Sequence, residues 1–255
     1  MSVNDYFEGI KQTAARFGEE DLRVPIFYRS LRSFGIFMLA PIDRIIDILP
    51  SARMNPYRVT PWHCIVTITA SEYKDSDIGP NNQVSIGVPF IMDRKSPVLT
   101  GILRRPPEFP MIYLLHLQAN TRISCSAGSE MADSPVLLSD ISFTDDGEWV
   151  RCSAVSDGKL ILRLSGRKLA VAPCGRERVY PVTLKQNRLL RSDFSFSECE
   201  AGISKSRSDV RLELGDHPAG KILKDLGQGR ILLYQYWPSR QAVLSMVCES
   251  YPVEA

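Results

Sequence analysis

The chain has 255 residues, a formal net charge of +2 and 44% hydrophobic residues. These values exclude an intrinsically disordered chain. They also leave no sustained basic surface for nucleic acid or an anionic membrane. No apolar run approaches the roughly 18 residues of a membrane span, and the longest, Phe34 to Ala40, has strand length. The first residues are polar and lack the basic-then-apolar order of a secretory leader. The six cysteines, Cys64, Cys125, Cys152, Cys174, Cys199 and Cys248, form no Cys-x-x-Cys pair. They read as reduced thiols of a cytoplasmic protein, with no zinc site.

In chain order, residues 2–17 present Val3, Tyr6, Phe7, Ile10, Ala14 and Phe17 at helical spacing, which predicts an N-terminal amphipathic helix within an extension of residues 1–24. Phe27 to Leu39 reads as a strand. Residues 41–50 predict a helix, with Pro41 in its first turn, Ile42, Ile45, Ile46 and Leu49 as its apolar stripe and Pro50 as its stop. From Trp62 the period becomes two. Trp62, Cys64, Val66, Ile68 and Ala70 alternate with more polar residues, and Val84, Ile86, Val88, Phe90 and Met92 repeat the pattern. Met111, Tyr113, Leu115 and Leu117 continue it. The connection Asp93 to Pro110 holds four prolines and suggests a functional loop or an oligomer contact.

The stretch Gly128 to Leu138 carries Gly, Asp, Ser and Pro, the signals of a turn feeding a strand. Asp145-Asp146-Gly147 and Ser156-Asp157-Gly158 are tight-turn signals, so 136–144, 148–155 and 159–165 form an antiparallel meander. Strands are expected at 178–191, 193–203, 209–214, 230–237 and 241–249. A helix interrupts them, with Asp216 as cap, Pro218 in its first turn, Ile222, Leu223 and Leu226 facing inward and Gly227 as stop. No linker or repeat divides the chain, so residues 1–255 read as a single domain. Many short strands with few helices predict a β-rich α+β fold built on a closed or nearly closed antiparallel barrel.

Three stretches together resemble the acetoacetate decarboxylase family: Tyr73 to Pro89, Tyr113 to Leu138 and Arg211 to Leu226. The resemblance covers most of residues 25–250. It implies an antiparallel β-barrel enclosing a mostly apolar pocket, usually assembled into a homo-oligomer. In the family, the proline of the Gly-x-Glu…Pro segment is followed by the lysine that forms a Schiff base with substrate, then by a second lysine. Val136 and Leu137 stand in those places, and Gln83 stands where the family supplies a glutamate. A neutral amine is required to attack a ketone. Valine and leucine offer none, so the resemblance implies a pocket that has lost imine chemistry.

The remaining polar candidates are Glu130, matching the glutamate of the family's lysine segment, and Arg29 or Arg32, near the family's substrate-binding arginine. The expected catalytic set is therefore Glu130 as acid/base with Arg32 and Gln83 polarising a carbonyl. Val136, Leu137, Arg29, Tyr113 and His116 are expected to contact the ligand. His63 reads as a packed or solvated strand residue and His217 as structural at a helix start. No metal-ligand cluster, phosphate loop or cofactor motif stands out, so no cofactor is expected. The expected substrate is a small carbonyl compound such as a β-keto acid or a polyketide-like intermediate. The alternative is a non-catalytic protein that binds a small molecule in the same pocket. Neither nucleic acid nor membrane is expected as a partner.

Overall fold

The structure, a computed structural model, describes residues 6–17, 19–94, 111–226 and 230–253. A hairpin of β1 (Thr13–Phe17) and β2 (Glu20–Val24) opens the chain. The long strand β3 (Ile26–Pro41) leads into α1 (Ile42–Ile46). The short β4 (Met54–Pro56) and β5 (Arg58–Thr60) precede β6 (His63–Ser76), β7 (Asn81–Met92) and β8 (Met111–Ala119). Helix α2 (Arg122–Ala132) runs into β9 (Val136–Leu138). The meander β10 (Asp140–Asp146), β11 (Trp149–Ser156) and β12 (Lys159–Arg167) follows. Then come β13 (Ala172–Cys174), β14 (Glu177–Lys185), β15 (Arg188–Arg191), β16 (Phe194–Phe196), β17 (Cys199–Ser204) and β18 (Val210–Leu214). Helix α3 (Pro218–Asp225), β19 (Ile231–Leu244) and β20 (Glu249–Pro252) end the chain.

Two sheets carry the architecture. In the larger, the order β19-β3-β6-β7-β8-β14 is closed by β16, which pairs with both β14 and β19, so the sheet is ring-like. It is not wholly antiparallel as expected, because β8 pairs with β14 and with β9 in parallel. The smaller sheet, β10-β11-β12-β18, contains the expected meander from Asp140 onward, residues 136–138 of its expected first strand being β9 of the larger sheet, and lies against the outside of the ring. Between them sits the main core. Phe34, Ile36 and Met38 of β3, Val66 and Ile68 of β6, and Val84 and Ile86 of β7 meet Val150, Ala154, Leu162 and Leu164 of the second sheet. Each of these side chains except that of Ala154 contributes about 1.5–3 kcal/mol by leaving water.

The period-two prediction holds from Cys64 to Phe90, since Cys64, Val66, Ile68, Ala70, Val84, Ile86, Val88 and Phe90 are all buried, whereas Met92 and the β8 residues Met111, Tyr113, Leu115 and Leu117 are half-buried. Trp62 is the exception, at 74% exposed. It sits at the tip of the β5–β6 connection, outside the strand pleat, so the alternation does not apply to it. The N-terminal helix is not formed over 13–17. There the burial of Phe17, Leu22 and Val24 follows the strand period of the hairpin. Phe7 stacks on Phe27 with centroids 4.7 Å apart, which satisfies the aromatic part of the supposed helical stripe. Val3 lies outside the described residues.

Helix α1 is a single turn, so of the expected stripe Ile45 is fully buried while Ile46 is 49% exposed. Helix α3 is capped by His217, whose Nδ1 accepts from the Ala219 amide, and not by Asp216. Its Leu223 and Leu226 face inward as expected, whereas Ile222 is exposed and Gly227 lies outside the described residues. The span 178–191 is a hairpin turned at Gln186-Asn187, both at positive φ, and 193–203 is two strands. Conversely, the two strands expected at 230–237 and 241–249 are largely one, β19, kinked by bulges around Trp237 to Ala242. The connection expected to be a functional loop or an oligomer contact lies outside the described residues from 95 to 110.

Arg32 ties the two sheets together. It shares a face of β3 with Phe34 and reaches across to β10. Its Nε donates to Glu72 at 2.9 Å and its Nη1 donates to both oxygens of Asp145 at 2.8 Å. Lys168, at 2.9 Å, and then Arg32 hold the Asp145 carboxyl below the usual carboxylate range. Arg32→Ala should lower stability by about 1–3 kcal/mol in urea titrations. That is less than the 3–5 kcal/mol of a fully buried pair, because Glu72 and Asp145 are partly hydrated. Asp145 has its folded pKa depressed, so its contribution is present above the unfolded carboxylate pKa and is lost as pH falls through the folded value. The gap between wild type and variant should therefore shrink below about pH 4. A gap that widens on acidification would contradict the assignment.

Candidate functional site

The inner face of the ring encloses a cavity of about 920 Å³. Strand alternation makes this face. The residues between the core positions of β6 and β7, namely Thr67, Thr69 and Ser71 with Gln83, Ser85 and Gly87, line the cavity. Gly35 and Phe37 of β3 continue the wall. Both faces of these strands are thus covered, one by the core and the other by the cavity, and Thr67 and Ser71 are buried. A bulge between Ile86 and Gly87 opposite β8 changes the phase of that strand. Ile112 and Leu114 line the cavity before it and Leu117 after it.

Helix α2 closes one side. It was not expected, because Ser, Cys and Gly in Arg122-Ile-Ser-Cys-Ser-Ala-Gly-Ser favour helix weakly. The Thr121 side chain caps it by accepting from the Ser124 amide, and Asp133 ends it in the left-handed region. Ser124, Ala127 and Gly128 form its cavity-facing side. Gly128 therefore lies inside a helix and not in a turn. A Cβ there would stand 2.9 Å from Val136 Cγ2, so the glycine allows helix and strand to touch.

The charged end of the cavity is built by β14, β16 and β19. Arg240 is 7% exposed, although it is the residue after Pro238-Ser239, and the bulges of β19 turn it inward. Its guanidinium carbon lies 3.9 Å from the Phe196 ring centroid and 4.4 Å from that of Trp237. Nη1 donates to Glu177 at 3.1 Å, and Nε is buried with no hydrogen-bond partner among the described residues. Burial pulls the guanidinium pKa below its ordinary value, against the opposing pull of Glu177, but an arginine remains charged. Tyr73 is near enough to feel this charge. Burial pushes its phenol up to about 12, against the lowering effects of Ser71 and Arg240. Its ring packs on Tyr28 at 4.5 Å. Among the described lining residues, Arg240 pairs with Glu177, the exposed Arg176 and Arg178 approach Glu198 and Asp193, and no lysine is present.

Of the sequence-predicted site residues, the structure places Gln83 in the cavity wall, where its amide donates to Asn81 at 3.2 Å. Arg32 is committed to the sheet clamp. Arg29 is partly exposed and pairs with Asp77 and Asp75. Glu130 is exposed on α2. Val136 is in register with the cavity residue Leu117 and lies behind Gly128, while Leu137 packs into the main core. Tyr113 packs in the cluster of Val182 and Leu189. His116 has its Nδ1 buried without a partner among the described residues, and burial lowers its pKa. His63 meets Thr60 at 3.1 Å. Sequence reasoning missed Arg240, Glu177 and Tyr73. The interruption Trp237-Pro-Ser-Arg240 in an otherwise apolar strand was the available signal for a bulge. Among the described residues no group of His, Cys, Asp or Glu could hold a metal ion, and no helix is long and apolar enough to cross a membrane.

No protein-family profile and no curated protein matches the sequence. Solved structures do match. Acetoacetate decarboxylase from Legionella pneumophila subsp. pneumophila str. Philadelphia 1 superposes with a TM-score of 0.65 at 14% identity, over 89% of this chain and 88% of that one. The enduracididine biosynthesis enzyme MppR, complexed with the condensation product of pyruvate and imidazole 4-carboxaldehyde, gives 0.58 at 11% identity, over 90% and 88%. An acetoacetate decarboxylase-like enzyme from Sphingomonas wittichii RW1 gives 0.53 at 12% identity, over 87% and 91%. The chain therefore has the acetoacetate decarboxylase-like fold; at these identities the likeness speaks for the fold alone.

The Arg240–Glu177 pair is unequally buried, with side chains 6% and 35% exposed. Removing Glu177 strands a buried cation, whereas removing Arg240 leaves a carboxylate that water can reach. Glu177→Leu should cost about 3–5 kcal/mol and Arg240→Met about 1–2 kcal/mol, read from urea midpoints. The reverse order would contradict the burial assigned to Arg240.

Proposed function

We propose that this chain acts on a small carbonyl compound bearing a carboxylate, such as a short keto acid, and does so without forming an imine. The observation that supports this most is the buried Arg240 in the cavity wall, whose Nε has no partner among the described residues, in a lining whose described residues include no lysine. A carboxylate suits the edge of Arg240, since the Phe196 and Trp237 rings lie against the guanidinium and Nε has an unused hydrogen. Glu177, on the same guanidinium, is the proton acceptor. Tyr73, protonated at neutral pH, and Gln83 are neutral donors for the carbonyl oxygen. The resulting chemistry is proton removal from the carbon beside the carbonyl, with the enolate oxygen held by hydrogen bonds in place of an iminium. Val136 and Leu137 supply neither amine nor proton.

A non-catalytic binding protein is the second reading, favoured by the position of Glu130 and Arg32 away from the cavity. The two readings separate with 2-oxobutyrate in deuterated water. The enzyme reading predicts that the protein binds it by calorimetry and speeds exchange of its C3 protons, and that Glu177→Gln removes the acceleration. Binding with background exchange selects the second reading. In either case Arg240→Met should weaken binding about 10- to 100-fold, the worth of a charge-assisted hydrogen bond. Borohydride added with the keto acid should leave no adduct, and a lysine adduct accompanied by turnover would overturn the proposal.

A further inference from the structure

Beside the charged end of the cavity, β13 and β17 place Cys174 directly opposite Cys199 in antiparallel register. Their Sγ atoms are 2.8 Å apart, and both residues are half-buried. Cys174 lines the cavity and is followed at once by Gly175, Arg176, Glu177 and Arg178, all lining residues. The other cysteines differ. Cys64 and Cys152 are buried in the main core, Cys125 is on α2 and Cys248 is exposed.

We propose that Cys174 and Cys199 form an oxidisable dithiol site that exchanges with small disulfides of the glutathione class. Cys174 is the entering thiol, because it is the one that a molecule in the cavity can reach. Its thiolate attacks one sulfur of the small disulfide and expels the other as a thiolate, leaving a mixed disulfide on Cys174. The Cys199 thiolate then attacks the Cys174 sulfur and releases the second small thiol. Overall, two cysteine thiols lose two electrons and two protons, and one small disulfide gains them as two thiols. The side chains already lie together, so the second step needs no rearrangement of the strands. The product bond fastens β13 to β17 and so restrains the segment carrying Glu177, the partner of Arg240.

The test treats the native protein with oxidised glutathione and maps its peptides. The intact mass should fall by two hydrogens, with a reducible link between the peptides of Cys174 and Cys199 and four of the six thiols still open to alkylation after unfolding. Cys199→Ser should instead retain glutathione on Cys174. Amide exchange over 172–178 should be slower in the oxidised protein. Glutathione that modifies Cys248 while the 174–199 link fails to form would overturn the proposal, as would a stable mixed disulfide on native Cys174. Unchanged exchange over 172–178 would overturn the claim that the bond restrains the cavity wall.

Discussion

Strand β6 is covered on both of its faces, and the two coverings set the rest of the structure. Cys64, Val66, Ile68 and Ala70 meet the second sheet, while Thr67, Thr69 and Ser71 look into the cavity. A strand with only one buried face would need no further cover. Here the small polar residues of the second face are kept from bulk solvent because the sheet closes on itself through β16. Hydroxyls on that wall need partners, and Thr67 finds the Gly87 carbonyl at 3.2 Å. A cavity lined in this way is suited to a ligand with a few polar atoms and an apolar body.

The ring also accounts for the cost of Arg240. A guanidinium this deep is unfavourable alone, and three contacts offset that: the Glu177 carboxylate and the Phe196 and Trp237 rings. Those partners come from three strands that meet only because β16 bridges β14 and β19. Closure of the sheet and placement of the charge are thus one structural event. The Arg32 cluster lies on the opposite face of the ring, where its role is to hold the second sheet.

Much of the framework was legible in the sequence because period-two alternation and turn chemistry are local. Asp145-Asp146-Gly147 and Ser156-Asp157-Gly158 marked the meander, and Val84 to Phe90 marked a core strand. The family-like segments pointed to the fold that the structural comparisons show. The N-terminal hairpin was missed because Phe7, Ala14 and Phe17 fit a helical period by spacing alone, while pairing with β2 decides their state. Helix α2 was missed for the opposite reason, since its composition is poor for a helix and its stability comes from packing on β8 and β9. Candidate site residues were less legible. Parity assigns a residue to a face but does not say which face holds the cavity, and Arg32 fell on the core side. Arg240 depends on a bulge, whose effect on side-chain direction no periodicity records.

The central claim is that the cavity binds a carboxylate through Arg240 without covalent attachment. A crystal structure of the protein soaked with 2-oxobutyrate tests it most directly. The account predicts a ligand inside the ring, its carboxylate on the Nε edge of Arg240, its carbonyl oxygen toward Tyr73 or Gln83, and no density joining it to protein. Density continuous with a lysine Nζ, or a ligand whose carboxylate lies away from Arg240, would contradict it.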